Sequence, residues 1–199
     1  LVYCDGYGVR LAARVLNLPV PHRMTGADWI WGLATLCERF GQSIYLLGSE
    51  PPLAREAALR LRRWYPALDV VGAHHGFFDL DSPHNERVIE DINAHDPRIV
   101  LVGMGTPKQE LWVDRYADQL GGAVTWTVGA LFDYVSGHTP RAPRWLADNG
   151  LEWIFRLMIE PDRMWRRYLL GNPVFLSRVL SEARRQGRAG ARVQCASHQ

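Results

Sequence analysis

Residues Ile99-Val100-Leu101-Val102 are apolar at every position, not at alternate ones, which is the pattern of a strand covered on both faces. Ser43-Ile44-Tyr45-Leu46-Leu47, Leu68 to Ala73 and Ala123 to Val128 repeat it, and Leu1-Val2-Tyr3-Cys4 reads as a strand already under way. Between these runs the apolar spacing changes to that of one-sided helices: Val9 to Leu16, Trp29 to Phe40, Leu53 to Tyr65, Glu86 to Ala94 and Lys108 to Leu120. Gly41 and Pro66 supply stops. Strands alternating with helices predict βαβ units, a parallel sheet and right-handed crossovers. The expected fold is an α/β Rossmann-like sandwich, helices on both faces, with a C-terminal helical appendage.

That appendage has its own pattern. Leu151, Ile154, Phe155, Met158 and Ile159 fall on one helix face, and Glu160-Pro161 breaks the run. A second helix carries Met164, Trp165, Tyr168 and Leu169. Gly171-Asn172-Pro173 should stop it before a short third helix over Val174 to Leu180. We therefore expect a catalytic α/β domain over residues 1–145, a helical module over 146–183 and a disordered tail over 184–199, rich in Gly, Ala and Arg. The net charge of +2 conceals an asymmetry, because residues 141–199 hold 11 Arg against 5 acidic groups. Such a segment suits an anionic partner, and the helices read either as an ordinary cap on the sheet or as an interfacial module at a lipid surface. Nucleic acid is disfavoured, since the arginines interleave with core spacing and no nucleic-acid motif occurs. No apolar run reaches the ~20 residues of a spanning helix. Three widely spaced cysteines form no C-x-x-C pair, which fits a reduced, cytoplasmic setting.

In a parallel sheet, ligands collect at the carboxyl ends of the strands. Asp5, Gly48, the His74-His75 pair, Thr106 to Gln109 and Gly129 to Asp133 should all line that edge. Gly103-Met104-Gly105-Thr106-Pro107-Lys108 ends the central strand, so its amides and the following helix start can face a phosphate. It lacks the spacing of a P-loop. Asp5-Gly6-Tyr7-Gly8 follows a strand, yet the third glycine of a dinucleotide fingerprint is replaced by Leu11. Asp5 is then either a working carboxylate or a helix cap. Asp79-Leu80-Asp81 resembles a metal-binding D-x-D but precedes a helix start, where acidic residues cap. His74 and His75, as strand neighbours, should point to opposite faces and not share a metal. No metal site is expected.

Several blocks recur together: Asp5-Gly6-x-Gly8, Arg23-Met24-Thr25-Gly26-x-Asp28, Gly103 to Glu110, Gly129-Ala130-Leu131-Phe132-Asp133, Arg141-Ala142-Pro143 and Gly150-Leu151-Glu152-Trp153-Ile154. Over about residues 3–176 the chain closely resembles the WecG/TagA/CpsF glycosyltransferases (glycosyltransferase family 26). The resemblance implies an inverting, metal-independent enzyme without a cofactor. It would move N-acetylmannosamine or a related sugar from a UDP-sugar donor to an undecaprenyl-diphosphate-linked saccharide, feeding teichoic acid, capsule or exopolysaccharide. By the same likeness Asp5 matches the catalytic base, Arg23 and Gln109 match pocket residues, and the appendage arginines Arg156, Arg163, Arg166 and Arg167 match those meeting the lipid-linked pyrophosphate. The enzyme would then sit peripherally on the inner face of the cell membrane. The family also begins with a segment supplying a Thr/Asn-type pocket residue that these 199 residues lack, so upstream residues are expected in the natural chain.

On chemical grounds, inverting transfer needs one base and a stabilised leaving group. Asp5 suits the first; Arg23 and the Gly103 and Gly105 amides suit the second. Gly6, Gly8, Gly48 and Thr106 would shape the substrate pocket. Gln109 reads as a sugar or uridine contact or as a solvent-facing helix residue. Phe132 and Asp133 read as holding base and ribose, or as core packing and a helix cap. Tryptophans on the appendage could equally serve self-association into a homo-oligomer. The rival from another class is a non-catalytic nucleotide or polyanion binder.

Overall fold

The computed structural model describes residues 6–19 and 25–196, leaving out the side chains of Arg144, Asp148, Arg163, Arg167 and 186–196. The helices are α1 (Tyr7–Val15), α2 (Gly26–Phe40), α3 (Leu53–Trp64), α4 (Pro83–His95), α5 (Lys108–Tyr116), α6 (Leu131–Ser136), α7 (Arg144–Asp148), α8 (Glu152–Ile159), α9 (Pro161–Trp165) and α10 (Asn172–Ala196). The strands are β1 (Ile44–Gly48), β2 (Val70–His74), β3 (Ile99–Gly103) and β4 (Val124–Thr127). Two compact units result: Gly26–Arg141, and a second drawn from both ends, Leu1–Thr25 with Ala142–Gln199.

The first unit is the α/β Rossmann-like sandwich. Its strands run in the order β2-β1-β3-β4, and all pairs are parallel. Successive side chains on a strand point to opposite faces, and the two core clusters obey that rule. Ile44, Leu46 and Leu101 pack with Ile30, Ala57 and Leu61 on one face. Tyr45, Leu47, Val100 and Val102 pack with Ile92 and Trp112 on the other. Both faces are dry, which explains the uninterrupted apolar runs. Two polar groups at the core are matched. Trp112 Nε1–H donates to Asn85 Oδ1 at 2.7 Å, and the Tyr45 hydroxyl donates to Asp91 Oδ2 at 2.5 Å. Gly72 is required beside that tyrosine, because a Cβ there would strike the Tyr45 ring.

In the second unit, α1 packs on α10, and Gly8 faces Phe175 at a 3.7 Å Cβ distance. Gly150, at φ +74, lies where a Cβ would meet the Tyr7 ring at 2.5 Å. Met164 and Val179 are buried. Gly171-Asn172-Pro173 does not stop the chain, contrary to expectation. A π-helical stretch, Arg166–Gly171, leads directly into α10. Proline is tolerated in a helix's first turn, and the widened π turn tolerates mismatched donors. Helices α6 and α7 fall where no helix was expected; both are short, and one-turn helices carry almost no periodic signal.

Candidate functional site

Parallel pairing puts the ends of β1, β2, β3 and β4 on a single edge, and the loops after them interlock. Gly48 ends β1 at φ +151, against Gly103 at the end of β3, so closely that a Cβ on Gly48 would run into the Gly103 backbone. Ser49 N–H donates to Gly103 O at 2.9 Å, and Gly76 N–H donates to Ser49 O at 3.1 Å. A Cβ on Gly103 would lie 2.8 Å from Gly129 O and 3.0 Å from the Phe132 ring. Glycine is needed at both strand ends because three backbones converge there.

Gln109, only 5% exposed, spans two of these loops from the first turn of α5. Its Oε1 accepts the Gly129 N–H at 3.0 Å, and its Nε2 donates to Glu110 Oε1 at 2.8 Å. Glu110 also accepts from Thr106 Oγ1 at 3.0 Å. Gly105 adopts φ +81 in the turn before α5. Among the described residues no acceptor meets the N–H groups of Met104, Gly105 or Thr106. Phe132 is buried in the core against Gly103, and Asp133 Oδ1 accepts the Ser49 hydroxyl at 2.8 Å. Gly48, Gly103, Gly105, Thr106, Gln109, Phe132 and Asp133 thus belong to one connected edge.

Asp5 and Arg23 lie outside the described residues. Gly6 precedes α1 at φ +87, and Gly8 sits in its first turn, both in the second unit. Arg156 pairs with Glu160 at 3.7 Å, and Arg166 lies over the Trp165 ring at 5.2 Å. The backbones of Arg163 and Arg167 lie on α9 and the π turn. The D-x-D carboxylates are both engaged by protein. Asp79 Oδ1 accepts the Asp81 N–H at 3.1 Å in a turn, and Asp81 pairs with Arg115 at 3.0 Å.

His74 and His75 do not point apart, contrary to expectation. Alternation holds only within a strand, and β2 ends at His74. His75 begins the turn, and the two rings stand 4.4 Å apart at their centroids. His84, from the first turn of α4, joins them, with ring centroids 5.2 Å from His74 and 5.6 Å from His75. Burial, then the neighbouring positive charges, pushes His75 below the ordinary imidazole range; burial does the same to His74. His84 was missed because nothing local marks it; three histidines within eleven residues around a strand end were the available signal. Lys108 Nζ reaches back to the same loop, donating to Gly76 O at 2.9 Å and to Phe78 O, and burial lowers its pKa.

The carboxyl edge of this parallel sheet carries glycine turns and open amides ahead of a helix, and in a Rossmann-like fold that edge is where ligands collect. The chain belongs to the glycosyl transferase WecG/TagA/CpsF family, which it matches over residues 1–189. It is similar to the N-acetylglucosaminyldiphosphoundecaprenol N-acetyl-beta-D-mannosaminyltransferase of Staphylococcus aureus (strain NCTC 8325 / PS 47). The two are 30% identical over 184 residues, 92% of this chain and 70% of that protein. The protein of the same name from strain MW2 is 29% identical over the same shares.

Proposed function

We propose that this glycosyltransferase moves N-acetylmannosamine or a related sugar from a UDP-sugar to an undecaprenyl-diphosphate-linked saccharide, with inversion and without a metal. The observation that carries the reading is the family match over residues 1–189, with relatives whose name specifies an N-acetylglucosaminyldiphosphoundecaprenol acceptor. The glycine-lined edge supports it, because the Met104, Gly105 and Thr106 amides have no acceptor among the described residues and stand just before α5, as donors to a diphosphate would.

In the proposed step an acceptor hydroxyl oxygen attacks the anomeric carbon. Its proton passes to the Asp5 carboxylate, the bond from that carbon to the UDP oxygen breaks, and UDP departs with the electron pair. Arg23 and the Met104, Gly105 and Thr106 amides take up the growing charge on the diphosphate. Gln109 fixes the Gly129 turn beside them, and Asp133 and Phe132 support the nucleoside end. Among the described residues no helix is long and apolar enough to cross a membrane. Met158, Trp145, Leu169 and Leu170 of the second unit are nevertheless well exposed. With the arginines of α9 and the π turn, they support a peripheral seat on the inner membrane face, where the lipid-linked acceptor resides.

The test is transfer from radiolabelled UDP-N-acetylmannosamine to an N-acetylglucosaminyl-diphospho-polyprenol, with EDTA present. Product with inverted anomeric configuration is expected. UDP binding with no transfer from any UDP-sugar of a donor panel would favour the non-catalytic binder instead.

A further inference from the structure

Three imidazoles converge where β2 gives way to α4, among residues the transfer step does not use. One nitrogen from each of His74, His75 and His84 lies within 4.8 Å of the other two. The closest pair, His74 Nε2 and His84 Nε2, is 3.3 Å apart. Two ligand nitrogens on a tetrahedral Zn²⁺, with bonds of about 2.0–2.1 Å, stand about 3.3–3.4 Å apart. This pair is already spaced as ligands are.

The protons are also disposed for it. His74 Nδ1 lies 2.7 Å from the His75 carbonyl oxygen. A carbonyl only accepts, so Nδ1 carries the hydrogen and Nε2 turns its lone pair towards His84. A ring nitrogen held by a backbone carbonyl is the outer support that orients metal-binding histidines. Among the described residues the one hydrogen bond to the His75 ring is long, its Nδ1 accepting the Phe77 N–H at 3.3 Å, so the ring can swing inward. Phe78 stacks on the His84 ring at 5.3 Å and 12°, holding it in place. All three rings are half-buried, sheltered yet reachable from solvent.

We propose that His74, His75 and His84 form a Zn²⁺ site, with three imidazole ligands and water completing the tetrahedron. The ion takes the place of the hydrogen shared between His84 Nε2 and His74 Nε2; that hydrogen moves through solvent to His84 Nδ1, so neutral rings lose no net proton. Imidazole suits Zn²⁺ well, whereas Mg²⁺ and Ca²⁺ prefer oxygen. The site takes no part in sugar transfer. Its effect is to fix the β2–α4 loop, which Lys108 already grips at Gly76 and Phe78 and whose Gly76 packs against Met104 and Gly48. A bound ion would thereby stiffen one wall of the glycine-lined edge.

The full chain, stripped with EDTA and dialysed, is titrated with ZnSO₄ by calorimetry and with CoCl₂ by visible absorption. One equivalent should bind, with the intense d–d bands of four-coordinate Co²⁺ that Zn²⁺ then abolishes. His74→Ala and His84→Ala should each weaken binding by about 100-fold or more, since even a lost outer partner costs about 10–100-fold. His138→Ala, an exposed histidine elsewhere, should change nothing. In the unsubstituted protein Zn²⁺ should slow diethyl pyrocarbonate modification of these three histidines, a readout independent of how the variants fold. Absence of one-equivalent binding, affinity unchanged in both variants, or unprotected histidines would each overturn the assignment.

Discussion

Gln109 owes its importance to what a buried amide must satisfy. Its Oε1 is the acceptor for the Gly129 N–H, and few other groups could replace it. Gln109→Ala should cost about 1–3 kcal/mol, since it empties a buried side-chain site and orphans the half-buried Gly129 donor, read as a lower urea midpoint at unchanged slope. Cys37 acts through its proton instead. The thiol is buried and its pKa is raised above the ordinary 9.0 by that burial. Because the unfolded thiol gives up its proton first, the stability from Cys37 is complete below pH 9.0 and is lost as pH rises towards its folded value. Tyr45, raised by burial and by its bond to Asp91, acts in the same direction at still higher pH. Urea titrations across the alkaline range should show stability falling with pH, and more shallowly in Cys37→Ala.

At the level of elements, the edge depends on two strand ends that tolerate no side chain. Gly48→Ala and Gly103→Ala each force backbone apart, at a cost of about 1–3 kcal/mol. Gly32 provides the contrast. It lies in α2, is exposed, and has nothing within 4 Å of the place an added methyl carbon would take. Gly32→Ala should therefore raise stability by about 0.5–1 kcal/mol. Thermal or urea unfolding of the three variants checks both signs together. A result in which all three destabilise alike would mean that close approach is not what the strand-end glycines provide.

For the molecule as a whole, the proposed membrane attachment rests on the second unit. Each basic residue near an anionic surface is worth about 1 kcal/mol. Reversing Arg163, Arg166 and Arg167 to Glu should thus lower partitioning onto phosphatidylglycerol vesicles by about 100-fold or more. Vesicle sedimentation measures this directly. Binding that survives the reversal would leave the exposed apolar residues, such as Met158 and Leu170, as the whole of the attraction.

The runs at Ile44–Leu47 and Ile99–Val102 were enough to predict a parallel sheet, because burial on both faces leaves a strand no polar position. The same runs placed Gly48 and Gly103 at strand ends and Thr106 in the loop beyond, and the family motifs were legible as words. What residues make of one another across space was not legible. Whether Gln109 meets solvent or Gly129, and whether His75 keeps the alternation of β2 or leaves it, depends on where a strand ends to within one residue. Periodicity cannot resolve that boundary. The partnership of α1 with α10 joins segments more than 150 residues apart, and amphipathic faces record that a helix is covered without recording by what. Local pattern determined the layers; long-range packing alone decided which side chains came within bonding distance.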